Sequence, residues 1–376
     1  MTRKILFLTG TRADFGKIKP LIEILEQSPG FEPFIFVTGM HLQKEYGYTL
    51  LEIERCGFQN IHTFENHTDE ATMDLTLART IEGFSAHCKS VAPDLIVVHG
   101  DRVETLAGAI VGSLNNILVA HIEGGELSGT VDELIRHSVS KLCHVHYVSN
   151  DEAARRLIQM GETESSVMII GSPDIDVMFS GNLPDLATVK RYYEIDFEKY
   201  AVAMFHPVTT ESAHMEQYAI EFVQALLADH HNFVVIYPNN DLGSKHILNA
   251  YERLREGSRF RIFPSLRFEY FLTLLKNAQF IIGNSSAGIR EAPYYGIPVI
   301  NIGTRQQNRA LHAHILNTNY TASDILDALR QVDTMEILAP GTGFGEGNSA
   351  QLFLESLQKE DIWQLNHQKQ FKNLEF

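Results

Sequence analysis

Three acidic residues stand where hydrophobic runs end. Asp101 lies two residues after the run Leu95–His99, Glu123 directly after Ile117–Ile122, and Asp132 where a helical stretch begins. Carboxylates gathered in one place raise one another's pKa, which equips them to move protons near neutral pH. The pair Gly124-Gly125 after Glu123 lets backbone approach a ligand closely. Asp132 has a second reading, because an aspartate before a helical run also serves as an N-cap.

Residues suited to an anion occur on either side of this group. Gly10-Thr11-Arg12-Ala13-Asp14-Phe15-Gly16-Lys17 ends the first run and opens a helix, so Arg12 and Lys17 are placed to meet an anion at that helix N-terminus. An ordinary turn with a surface arginine is the alternative. The loop is neither G-x-G-x-x-G nor a Walker loop, which disfavours a dinucleotide or P-loop nucleotide. In the second half, His206 follows the run Val202–Phe205, at a position suited to a ligand contact. Gly283-Asn284-Ser285-Ser286-Ala287-Gly288 ends another run and opens a helix. Asn284, Ser285 and Ser286 there offer donors to a diphosphate, and Glu291, about a turn further, suits the two hydroxyls of a ribose. A plain serine N-cap is the other reading of that loop. The histidines do not form H-E-x-x-H, Cys-x-x-Cys is absent, and so is the G-x-S-x-G elbow, so no metal site is expected.

These side chains need a scaffold, and the rest of the sequence supplies one. Short Val-, Ile- and Phe-rich runs recur: Ile5–Thr9, Phe34–Thr38, Leu95–His99, Ile117–Ile122, His144–Val148 and Val167–Ile170, then Val202–Phe205, Phe233–Tyr237, Phe260–Phe263, Phe280–Ile282 and Val299–Ile302. They show little period-two alternation, as strands buried on both faces of a parallel sheet do. Helical patterns such as Ile18–Leu25, Glu104–Leu114, Glu152–Met160 and Glu269–Lys276 lie between them. The alternation predicts the α/β class with doubly wound sheets, in which ligands sit beyond the carboxyl ends of the strands. A chain of 376 residues suits two domains. The series breaks after Gly171-Ser172-Pro173, which sets the expected domains at 1–173 and 174–354. Gln351–Phe376 is helical in pattern, and a helix over about 355–376 is expected to pack back on the first domain.

Composition bounds the partners. A net charge of -16 argues against nucleic acid and anionic membrane, both of which need a basic face. No stretch approaches the roughly 20 apolar residues of a membrane span. The N-terminal run of about six apolar residues is too short for a signal peptide, which needs about 7–15. Cys56, Cys88 and Cys143 have neither metal-ligand nor redox spacing and read as free thiols of a reducing, cytoplasmic compartment.

The loops also carry a resemblance. Gly10-Thr11-Arg12-Ala13-Asp14, His99-Gly100-Asp101-Arg102, His121 through Thr130, Arg136 through Leu142, Phe205 through Thr210, Tyr237-Pro238-Asn239-Asn240-Asp241 and Gly283 through Glu291 occur in the order found in the hydrolysing UDP-N-acetylglucosamine 2-epimerases, and the chain resembles that family from Ile5 to its C-terminal segment. The resemblance implies glycosyltransferase-B architecture: two Rossmann-like domains with parallel sheets and an interdomain cleft for a UDP-sugar. It implies hydrolysis of UDP-N-acetylglucosamine to N-acetylmannosamine and UDP, in sialic acid biosynthesis, with no cofactor, since no hydride is transferred. It assigns acid/base roles to Asp101, Glu123 and Asp132, and substrate binding to Arg12, His206, Asn284, Ser285, Ser286 and Glu291. The third acid is glutamate in non-hydrolysing relatives and aspartate here. Glu133 departs from the second aspartate that close relatives often carry. Relatives form homo-oligomers, so a dimer or tetramer is expected. Two other readings share the resemblance: a hydrolysing 2-epimerase of a UDP-2,4-diacetamido-2,4,6-trideoxy sugar of the legionaminic acid route, and, more remotely, a retaining glycosyltransferase.

Overall fold

A computed structural model describes residues 2–67, 72–306, 313–335 and 339–373. The apolar runs form two all-parallel sheets. Seven strands, β1 (Arg3–Thr9), β2 (Phe31–Val37), β3 (Ile61–Thr63), β4 (Leu95–His99), β5 (Leu118–Ile122), β6 (Val145–Val148) and β7 (Val167–Ile169), lie in the order 3-2-1-4-5-6-7. Six more, β8 (Ala201–Met204), β9 (Phe233–Ile236), β10 (Phe260–Phe263), β11 (Ile281–Gly283), β12 (Val299–Ile302) and β13 (Ile315–Thr318), lie in the order 10-9-8-11-12-13. Both orders reverse beside their first strand, between β1 and β4 and between β8 and β11. Ligands bind beyond the strand ends at such switch points. Helices join the strands, so the expected α/β class with parallel sheets is the one observed.

The central strands β4, β5, β6, β8, β9 and β12 are buried at almost every residue, which explains their unbroken apolar character. The edge strands β3 and β13 lay outside the expected set. Ile61-His62-Thr63 and Ile315-Leu316-Asn317-Thr318 face solvent on one side and therefore carry polar residues that break an apolar run.

The chain divides into two compact units, one of Met1–Glu126, Asp132–Gly181 and Gly343–Phe376, the other of Leu127–Val131 and Asn182–Thr342. The first unit thus continues beyond the expected limit at Pro173. The helix Pro173–Phe179 buries Ile175 completely, and the Asp176 carboxylate accepts from the main-chain amides of Ser349 (2.9 Å) and Ala350 (2.7 Å), capping the helix Ser349–Leu357.

That returning helix docks Phe353 against Phe7 and Tyr147, with ring centroids 6.4 and 4.9 Å away. The helical pattern expected from Gln351 to Phe376 is shorter in the structure. After Leu357 there is only the turn Glu360–Trp363, and the described chain is then non-helical to Asn373. Beyond Leu365 the one apolar side chain among the described residues, Phe371, is 91% exposed, and hydrogen bonds at His367, Gln368 and Lys369 hold the tail instead. Among the described residues no helix is long and apolar enough to cross a membrane.

Candidate active site

In the first unit the loops after β4 and β5 meet around one buried arginine. Arg136 lies on the helix Val131–Leu142 and is 1% exposed. Its Nη2 pairs with Asp101 Oδ2, and its Nη1 donates to the main-chain carbonyl of Glu123 at 2.7 Å and lies 3.9 Å from Glu123 Oε2. Asp132 is four residues earlier on the same helix, hence on the same face. It sits inside the first turn, after Val131, so it is not the N-cap that its position in the sequence also allowed.

Glu123 is held from several sides. Lys17 Nζ approaches Oε1 at 3.0 Å, Ser172 Oγ donates to it at 3.4 Å, and His99 Nε2 lies 3.2 Å away. Lys17 also stands 3.8 Å from the fully buried Asp174. The expected place of Lys17 at a helix N-terminus is therefore corrected. It is the sixth residue of the helix Arg12–Glu26, buried, and turned toward carboxylates. Glu123 has φ of 67°, a left-handed backbone unusual for a residue with a side chain. Such strain gathers at functional sites, where surrounding bonds hold it; here Glu123 N donates to Tyr147 O and its carbonyl accepts from Arg136.

The glycine pair that follows serves the protein's own packing. A Cβ on Gly125, at φ 74°, would lie 2.2 Å from Ala153 O, and one on Gly124 would lie 3.0 Å from Ser140 Oγ. The expected room for a ligand is filled by helix backbone and side chain. His121, on β5, ties the same parts together. Its Nε2 donates to Gly100 O at 2.8 Å and its Nδ1 lies 3.0 Å from Ser140 Oγ. Burial holds its pKa well below the ordinary value, so it works as a neutral bridge.

Arg12 is the first residue of its helix, after a capping box in which Thr11 and Asp14 satisfy each other's amides. Asp14 is buried and also accepts from Gly10 N (3.0 Å), and burial raises its pKa against the hydrogen bond from Thr9. His41, fully buried beneath this loop, is pushed down to about 3 by burial and by the charge of Arg12. Arg12 thus begins the helix above the buried polar residues Thr11, Asp14 and His41.

In the second unit, His206 follows β8. Its main-chain N–H donates to Asn284 Oδ1 (2.6 Å), its carbonyl accepts from Asn284 Nδ2 (2.8 Å), and its Nδ1 accepts from Asn239 N–H (3.1 Å). Asn284, expected to bind ligand, is fully buried with both side-chain atoms engaged by His206. We therefore assign it to holding that residue. Its carbonyl accepts from Arg305 Nη1 (3.2 Å) and Gln306 Nε2 (2.9 Å). Ser285 and Ser286 are half-buried. Ser285 caps a single 3₁₀ turn by accepting from Ala287 N–H (3.3 Å). The helix expected here is only the four residues Glu291–Tyr294, too short for a sizeable dipole, so the donors of the turn matter more. Glu291 is 3% exposed.

Arg136, His121 and Arg305 were not singled out by residue type and position, and Lys17 was singled out for an anion rather than for Glu123. The four-residue spacing of Asp132 and Arg136 was the one available signal. Among the described residues one other group, Asp229, His230 and His231, has metal-ligand types within reach of one another. His231 faces Asp229 at 2.8 Å and Asp333 at 3.0 Å through its two nitrogens, which reads as an ion pair.

The family model described as UDP-N-acetylglucosamine 2-epimerase matches residues 23–358. The chain is 48% identical over 375 residues to the UDP-N-acetylglucosamine 2-epimerase of Neisseria meningitidis serogroup B, covering 99% of each. It is 32% identical over 357 residues to a UDP-N,N'-diacetylbacillosamine 2-epimerase (hydrolyzing) of Legionella pneumophila, covering 93% of this chain and 94% of the relative. Among solved structures, a Methanocaldococcus jannaschii UDP-GlcNAc 2-epimerase in complex with UDP-GlcNAc and UDP has the same fold, with a TM-score of 0.82 at 19% identity, over 94% of this chain and 99% of that one.

Proposed function

The chain belongs to the UDP-N-acetylglucosamine 2-epimerase family, and from that premise we propose that it is the hydrolysing kind, converting UDP-N-acetylglucosamine and water to N-acetylmannosamine and UDP as a cytoplasmic step toward sialic acid. The observation that carries this reading is the buried Arg136, which gathers Asp101 and Glu123 and lies one turn from Asp132. Inverting a carbon needs proton-transfer groups on both faces of the ring, and several carboxylates around one anchor supply them.

In the proposed route a carboxylate removes the C2 proton as UDP leaves C1, giving 2-acetamidoglucal. Water then adds at C1 and a proton returns to C2 from the other face. Arg12, His206 and the Ser285–Ser286 turn stabilise the charge that grows on the departing diphosphate, and Glu291 takes the ribose. Aspartate rather than glutamate at position 132, and the hydrolysing Legionella relative, support hydrolysis over simple interconversion.

The same relative favours a second reading, in which the substrate is a UDP-2,4-diacetamido-2,4,6-trideoxy sugar. Proton NMR of both UDP-sugars in deuterated water separates the cases. Free N-acetylmannosamine deuterated at C2 is expected from UDP-N-acetylglucosamine. Turnover of the diacetamido sugar alone would transfer the assignment to it, and product without C2 deuterium would refute elimination and point to glycosyl transfer.

A further inference from the structure

We propose that His206 is locked as the tautomer protonated at Nε2 alone and acts on the diphosphate only as a neutral hydrogen-bond donor. The proposal rests on the nucleotide-binding role given to the second unit. A neutral imidazole carries one proton, and which nitrogen holds it is set by the bond the other makes. Here the other nitrogen, Nδ1, accepts from the main-chain N–H of Asn239 at 3.1 Å. An amide N–H has no other role than donor, so Nδ1 must offer its lone pair and the ring proton must sit on Nε2.

The lock comes from the main chain on both sides of the ring. The Asn284 amide grips the N–H and the carbonyl of residue 206 at 2.6 and 2.8 Å, which fixes where the ring starts. Asn284 is itself fixed, being fully buried and bonded through its own N–H to Met204 O and through its carbonyl to Arg305 and Gln306. Asn239 lies three residues after β9, and its side chain reaches Asp241, which secures the loop that carries the donating amide. Three strand ends, those of β8, β9 and β11, therefore determine one proton position.

The chemical consequence is specific. A ring that becomes imidazolium must place a second proton on Nδ1, facing the Asn239 N–H. His206 is thereby unsuited to general acid or base work, which is left to the carboxylates of the first unit. It donates to the anion and keeps its proton.

Two measurements test this. Nitrogen-15 spectra of histidine-labelled, ligand-free protein at pH 7, with the His206 signals identified by their loss in His206→Gln, should show a ring protonated at Nε2 only. A ring protonated at Nδ1, or at both nitrogens, overturns the lock whether or not any nucleotide binds. UDP titrations of His206→Gln and His206→Asn test the donor role, since a glutamine amide reaches the Nε2 position and an asparagine amide only that of Nδ1. His206→Asn should bind UDP about ten- to a hundredfold more weakly than His206→Gln, the size of one hydrogen bond to a charged group. Equal affinities would refute the donor role, and absence of UDP binding by the unaltered chain would refute the functional reading while leaving the spectral result intact.

Discussion

Arg136 carries a full positive charge at 1% exposure, which is stable only because Asp101 and Glu123 surround it. Replacing it with methionine takes this counter-charge from Asp101 and leaves Glu123 with Lys17, and breaking such a buried pair typically costs about 3–5 kcal/mol. Urea unfolding of Arg136→Met should show a loss of that order, and its turnover should fall with it. Asp101→Asn is expected to behave differently. It keeps the shape and one acceptor oxygen, and Glu123 still faces the guanidinium, so the loss of stability should be smaller than for Arg136→Met while kcat drops about 10²–10⁴-fold, the usual worth of a positioned proton-transfer group. An Asp101→Asn enzyme of unchanged kcat would remove Asp101 from the chemistry. Asp101 and Glu123 were legible in the sequence because each follows a strand end, and Asp132 because it opens the next helical stretch. Arg136 was not, because an arginine on an amphipathic helix looks like a surface residue until the fold shows which way it points.

At the scale of elements, the helix Val131–Leu142 carries Asp132 and Arg136 near its start and is pinned at its far end. Lys369, from the C-terminal tail, donates to Ser140 O (3.3 Å) and Cys143 O (2.6 Å), where a cation complements the helix C-terminus. The same ammonium pairs with the buried Glu162 at 2.6 Å, beside Lys141 and His146. Lys369→Met should lower both the melting temperature and kcat, with KM little changed, because the residue touches the helix and not the ligand. A kcat equal to the parent's would confine Lys369 to stability. The sequence pattern marked the tail as a helix returning to the first domain, but not Lys369, whose anchors lie more than 200 residues away.

In the second unit His231 links two helix ends through Asp229 and Asp333. Its pKa is raised above 6.5, chiefly by its bonds to Asp229 acting against burial, and that of Asp229 is lowered below 3.8. A raised histidine stabilises fully below its unfolded value and loses that effect as pH rises through the folded one. A depressed aspartate stabilises above its unfolded value and loses the effect as pH falls. The pair is therefore strongest between roughly pH 4 and 6.5. Denaturation curves across pH should show a stability decline above that window that is absent in His231→Gln.

The whole molecule is built on two sheets, one in each unit. In the function proposed above, the groups for proton transfer stand at the ends of β4 and β5 in one unit, and those for holding a nucleotide at the ends of β8 and β11 in the other. Saturating UDP, at about 100 times its Kd, should then raise stability by about 2.7 kcal/mol. Asp101→Asn should keep that gain and His206→Ala should lose most of it, as read by thermal shift; the reverse pattern would exchange the roles of the units. By itself the sequence determined the class and most of the strands, because burial on both faces of a parallel sheet demands unbroken apolar runs. It also determined where ligand-facing loops fall, since those loops must follow the strands. Tertiary structure alone decided that Lys17 turns toward Glu123 rather than outward, that Gly125 makes room for Ala153 rather than for a ligand, that Asn284 serves His206, and that the tail from Leu365 onward is strapped by hydrogen bonds instead of coiling. Each depends on partners distant in sequence, and neither propensity nor local spacing encodes the direction a side chain takes when such a partner arrives.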